Sequence, residues 1–86
     1  MYTAKFKKDL KLVRKQGKDL NKIFDAIVIL ENGGRLPSTY LEHVLHGKYE
    51  GDYECHIEPD LVMIYHFYDD ILVLRLLRLG SHSNIL

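Results

Sequence analysis

A chain of 86 residues with no net formal charge, 47% hydrophobic and 28% charged, has room for one globular domain and not for two. That balance excludes a disordered tail and a membrane protein, and the single cysteine, Cys55, excludes an internal disulfide and fits a reducing compartment. The longest apolar run, residues 71–79, is interrupted by Arg75 and Arg78 and falls well short of the roughly 20 residues of a membrane helix. The N-terminus leads directly into a charged amphipathic pattern rather than a signal region. The expectation is a cytoplasmic protein with a single domain over residues 1–86 and no membrane contact.

In chain order, residues 2–4 fit a short edge strand. Over residues 5–16, Phe6, Leu10 and Val13 recur at helical spacing while lysines fill the other face, and Gly17 is placed to stop the helix. Asp19 is suited to cap a second helix whose stripe is Leu20, Ile23, Phe24, Ile27 and Leu30, ended by Asn32-Gly33-Gly34. Residues 1–22 hold eight lysines and arginines against Asp9 and Asp19. Such a basic face suits either a polyanion or plain solvent. Residues 35–50 read as a loop in which Thr39 and Glu42 bracket a possible helical turn before His43.

Three strands follow, over residues 52–57, 61–68 and 71–79. Tyr53, Cys55 and Ile57 alternate with Glu54 and His56, which turns the histidine away from the apolar side. The Pro59-Asp60 break makes a tight hairpin that sets Asp60 across the turn from His56. Reading Asp69-Asp70 as a two-residue loop pairs Tyr68 with Ile71 and sets Arg78 opposite Leu61. Gly80, Ser81 and His82 then reach the same rim as the His56–Asp60 turn. The fold class is α+β: two N-terminal helices packed on one face of a small twisted antiparallel sheet.

Two imidazoles and a carboxylate on one rim form a plausible acid/base site, because an unperturbed imidazole titrates near about pH 6.5. Arg78 beside them suits a phosphate gaining charge, or an ion pair with Glu58 or Asp60. His43 and His46 stand at a metal-ligand spacing that His56 would complete, the least favoured reading. His66 reads as structural and Cys55 as a small core residue. Tyr49 and Tyr53 suit either stacking on bases or covering the sheet.

The combination of His43 before Leu45-x-Gly47, Cys55-His56-Ile57-Glu58-Pro59-Asp60, Tyr65 and Arg78-Leu79-Gly80-Ser81-His82 resembles the YafQ branch of the RelE-type bacterial toxins over nearly the whole chain. The resemblance implies a RelE-like fold and the toxin of a type II toxin-antitoxin pair, an endoribonuclease cutting mRNA on the ribosome without cofactor or metal. It implies His43, His56, Asp60 and His82 as the catalytic set and Arg78 as the phosphate support. Tyr49, Leu61 and Leu86 join the substrate-binding set; relatives often carry Trp where Leu61 stands and Phe where Leu86 stands. The implied partners are a cognate antitoxin, the ribosome and mRNA, with promoter DNA reached only through the antitoxin complex.

Overall fold

The computed structural model describes residues 1–68 and 73–86. Helix α1, Ala4–Lys15, begins where the Thr3 hydroxyl accepts the Phe6 amide at 3.1 Å, and α2, Leu20–Glu31, begins where Asp19 accepts the Asn21 amide at 3.0 Å. Both caps satisfy amides that the first helical turn leaves without acceptors. Gly17, at φ +77°, ends α1 in the left-handed region that costs glycine nothing. Gly34 is required for a different reason: a Cβ there would come within 2.9 Å of the Ile29 carbonyl oxygen.

Strands β1 (His43–Val44), β2 (Tyr53–Glu58), β3 (Leu61–Tyr68) and β4 (Val73–Gly80) form an antiparallel sheet in that order. A short helix, α3 (His82–Ile85), follows. Phe6 and Val13 of α1 and Ile23, Ala26, Ile27 and Leu30 of α2 pack with Cys55, Met63, Tyr65 and Leu76 on one face of the sheet. Val62 and Ile64 point to the other face, where Leu45 and Ile85 cover them. The expected α+β layering is therefore the observed one, with a small second core under α3.

Several sequence expectations are corrected. Residues 43–44 form a fourth strand inside the stretch read as loop, because Val44 and His43 pair with Tyr53 and Glu54. In α2, Ala26 takes the core place expected of Phe24, which is 38% exposed. The turn before His43 is a 3-10 turn, Ser38–Tyr40, preceded by Pro37 and without a side-chain cap. Residues 2–4 supply only one bridge, Tyr2 to Leu76, since Ala4 already belongs to α1.

The loop expected at Asp69-Asp70 lies outside the described residues. Tyr68 pairs with Val73, not Ile71, and the register shifts at Ile64/Tyr65, so Arg78 lies opposite Ile64 rather than Leu61. A bulge of this kind places two residues against one. It explains how Leu76 and Leu79, three apart, both reach the helix-covered core.

Candidate active site

Glu54 is the hub of the sheet's second face. It sits in β2 with Ile64 of β3 on one side and His43 of β1 on the other, and directly opposed residues share a face. His56, two residues on, shares that face. The chain leaving β4 at Gly80 brings His82 over it from the far strand. Glu54 Oε1 lies 3.3 Å from His43 Nε2 and 3.5 Å from His56 Nε2, and Oε2 lies 3.5 Å from His82 Nε2. The carboxylate is only 1% exposed.

Burying a carboxylate is costly unless cations or donors surround it, and three imidazoles do so here. Among the described residues Oε2 has no hydrogen bond; His82 Nε2 faces it at 3.5 Å, a distance at which a protonated imidazole pairs with it. His43 is oriented a second time. Its Nδ1 lies 2.8 Å from the Leu41 carbonyl, which can only accept, so Nδ1 carries a proton and Nε2 is the atom turned to Glu54. Leu41 holds the left-handed conformation, φ 52°, that presents this carbonyl.

One residue away, the fully buried Tyr65 hydroxyl donates to Glu42. Burial, and then the hydrogen bond to Glu42, push the Tyr65 hydroxyl well above the ordinary tyrosine range. This bond ties the segment before His43 to the centre of β3. Cys55, on the helix-covered face, has its thiol pushed up to about 12, chiefly by burial and then by the charge of Glu42. It is a core residue, as its place in the alternation implied.

The expected convergence of His56 and His82 is present, and His43 joins it. Asp60 does not. Glu58 pairs with Leu61, which leaves Pro59 and Asp60 as the exposed turn itself rather than placing Asp60 opposite His56. Asp60 borders a cavity of about 500 Å³ with Asp9, Arg78 and Ser81. Arg78 pairs with neither Glu58 nor Asp60. Its Nε and Nη2 donate to Asp9 at 2.8 and 3.2 Å, and the Leu79 amide adds a third donor at 2.9 Å. The Asp9 hydrogen bond, opposed by burial and aided by Tyr49, raises the guanidinium further above its ordinary range.

Leu61, 2% exposed, fills the core beneath the helices and also borders the Asp60 cavity. Leu86 is exposed at the end of α3, and Tyr49 packs beside Ile64 and Ile85. Tyr53 stacks on Tyr65, centroids 6.0 Å apart, and so covers the sheet. His66 faces Asp52 at 3.0 Å and His46 faces Glu50 at 3.0 Å. Among the described residues no group of three or more His, Cys, Asp or Glu is arranged to hold a metal ion, and His46, turned to Glu50, stands apart from His43 and His56 at Glu54. Glu54 is the residue that sequence reasoning missed. Its signal was its place two before His56 on the same strand face, which alternation had read as plain solvent exposure.

A sequence model described as the bacterial toxin of a type II toxin-antitoxin system, YafQ, matches residues 1–86. The chain belongs to the YafQ toxin family. It is therefore a type II toxin of the mRNA interferase, or endoribonuclease, class. The mRNA interferase toxin YafQ of Escherichia coli K12 is 36% identical over 83 residues, 95% of this chain and 88% of its own length. YafQ in the E. coli DinJ–YafQ complex superposes with a TM-score of 0.87 at 36% identity, covering 98% of this chain and 92% of that one. A metal-bound toxin from Helicobacter pylori superposes at 0.90 with 36% identity, over 99% and 94%. These matches carry the RelE-like fold that the motif pattern implied.

Proposed function

We propose that this YafQ-family toxin cuts mRNA on the ribosome by attack of a ribose 2′-hydroxyl on the adjacent phosphate, with histidines as the proton-transfer groups. The new P–O2′ bond forms as the P–O5′ bond breaks, leaving a 2′,3′-cyclic phosphate and a 5′-hydroxyl. His43 takes the 2′-hydroxyl proton, His82 protonates the leaving 5′-oxygen and His56 orients the phosphate. The single observation supporting this reading is the meeting of three imidazoles on one buried carboxylate, 3.3–3.5 Å away, on the face not covered by α1 and α2. A carboxylate so placed holds imidazoles in position and stabilises the charged form produced by proton uptake.

Asp60 and Arg78 border the neighbouring cavity, where Arg78 offers a phosphate the N–H groups that Asp9 leaves free and Asp60 meets the RNA strand; Tyr49 and Leu86 complete the substrate-binding set. The reaction uses a nucleophile already present in the RNA, and the proposal assigns it no cofactor or metal. A cognate antitoxin blocks the site and carries the complex to promoter DNA, and the toxin acts in the cytoplasm; no helix among the described residues is long and apolar enough to cross a membrane.

Single-turnover cleavage of ribosome-bound mRNA tests the reading. Replacing His82 by Ala is expected to slow cleavage about 100-fold to 10,000-fold, and the parent is expected to keep its activity in chelator. Cleavage within a few-fold of the parent after His82→Ala removes the general-acid assignment. A harmless, inactive parent would instead leave an antitoxin-binding or RNA-binding module.

A further inference from the structure

Beyond Arg78, along the β4 edge, lies a second cavity of about 340 Å³ whose walls include Thr3, Lys5, Tyr49, Arg75 and Arg78, with no carboxylate among its lining residues. Arg78 is paired with Asp9, so Lys5 and Arg75 supply the cationic charge that no carboxylate among the lining residues offsets. The Arg75 Nη1 donates to the Tyr68 hydroxyl at 2.6 Å, while its buried Nε has no acceptor among the described residues. Asp52 is turned to His66, which pairs with Arg75 across the sheet. Ala4 and Lys5, the first two residues of α1, add amides that the helix itself cannot satisfy. We infer that Arg75 and Lys5, walled by Tyr49, form a second phosphate-binding site that holds a backbone phosphate of the RNA strand beyond the one being cut.

The inference rests on the RNA reading above and extends it to substrate length. Arg78 borders both this cavity and the one containing Asp60 and Ser81, and Ser81 precedes His82. A strand leaving the histidines past Ser81 meets the shared guanidinium and then the cradle. A polymer with a regularly repeated anion suits two cavities joined in this way better than an isolated carboxylate does, and arginine and lysine are the natural donors for its phosphates. Tyr49, between them, offers a ring for a base.

The test is binding of a 2′-O-methyl RNA hexamer, which keeps its phosphates and cannot be cut, measured by fluorescence anisotropy across a salt series. Each phosphate contact to single-stranded RNA contributes about 0.7 to the slope of log affinity against log salt. Arg75→Gln is expected to lower the slope by about 0.7, and Arg75→Lys, which keeps the charge, to restore it. Lys5→Gln, an exposed change that leaves the core intact, is expected to lower it as well and carries the test if Arg75→Gln fails to fold.

On ribosome-bound mRNA, Arg75→Gln is expected to raise KM and leave kcat unchanged. An unchanged slope in both neutral variants, or no hexamer binding by the parent, overturns the site. So does loss of binding to a glutamate-rich peptide with RNA binding intact, which would assign the cavity to an acidic protein. A parent that binds the hexamer with the Arg75-dependent slope but cleaves no mRNA would keep the site and refute the nuclease reading instead.

Discussion

Replacing Glu54 by Gln removes one negative charge and almost no volume, and the two consequences separate sharply. Glu54 is 1% exposed and, among the described residues, its Oε2 makes no hydrogen bond, so a carboxylate here is buried with incomplete compensation. The amide keeps an oxygen toward His43 and His56, and stability should change by no more than about 1 kcal/mol. Catalysis should respond far more strongly. All three imidazoles lie 3.3–3.5 Å from this carboxylate, so its loss removes the group that orients them and stabilises whichever one takes the proton.

A loss of about 100-fold, the lower end for one positioned acid or base, corresponds to about 2.7 kcal/mol of transition-state stabilisation. Single-turnover cleavage of ribosome-bound mRNA reads the rate, and urea unfolding of the same preparation reads the stability. Glu54→Asp keeps the charge but is one methylene short, and should fall between parent and Gln. The reasoning is refuted if Gln cleaves within about threefold of the parent, or if its activity falls only in proportion to its folded fraction.

Tyr65→Phe should cost about 1 kcal/mol in urea unfolding, and should lower kcat about tenfold with KM little changed, because the His43 segment loses its tie to β3. Asp9→Ala deprives Arg78 and the Leu79 amide of their shared acceptor and should destabilise the fold by about 2–3 kcal/mol. Stability should also fall at alkaline pH. The folded Cys55 thiol is raised from 9.0 to about 12, so between these values the unfolded chain has released a proton that the folded chain retains, and raising the pH favours unfolding by about 1.4 kcal/mol at pH 10. Urea midpoints at pH 8 and pH 10 should show this loss in the parent and less of it in Cys55→Ala.

The helices were legible because Phe6, Val13, Ile23, Ile27 and Leu30 repeat at the period of a buried face, and because Asp19 and Gly17 are local punctuation. β3 was legible from an apolar run between two turns. The fourth strand was not, because two residues carry no periodicity and β1 exists only through pairing with β2. The β4 register was missed for two reasons: Tyr68 pairs with Val73 rather than Ile71, and a bulge is a property of two strands together that leaves no mark in either sequence alone. That error placed Arg78 beside the hairpin tip, so its true partner, 69 residues earlier, could not be anticipated.

At the site, His56 and His82 were drawn together by strand order. His43 could be named only through family resemblance, and Glu54 was passed over because alternation reports which face a side chain occupies and not what later closes over that face. Leu61 shows the converse. Its position in the family motif suggested a substrate contact, while its neighbours in space make it core.

The arrangement of three histidines around Glu54 is tested most directly by NMR of the imidazole carbon-bound protons at fixed pH in the parent and in Glu54→Gln. His43, His56 and His82 are predicted to shift together, while His46 and His66, which face Glu50 and Asp52, stay in place. A shift confined to one histidine, or spread equally over all five, would contradict a shared carboxylate at the centre of the site.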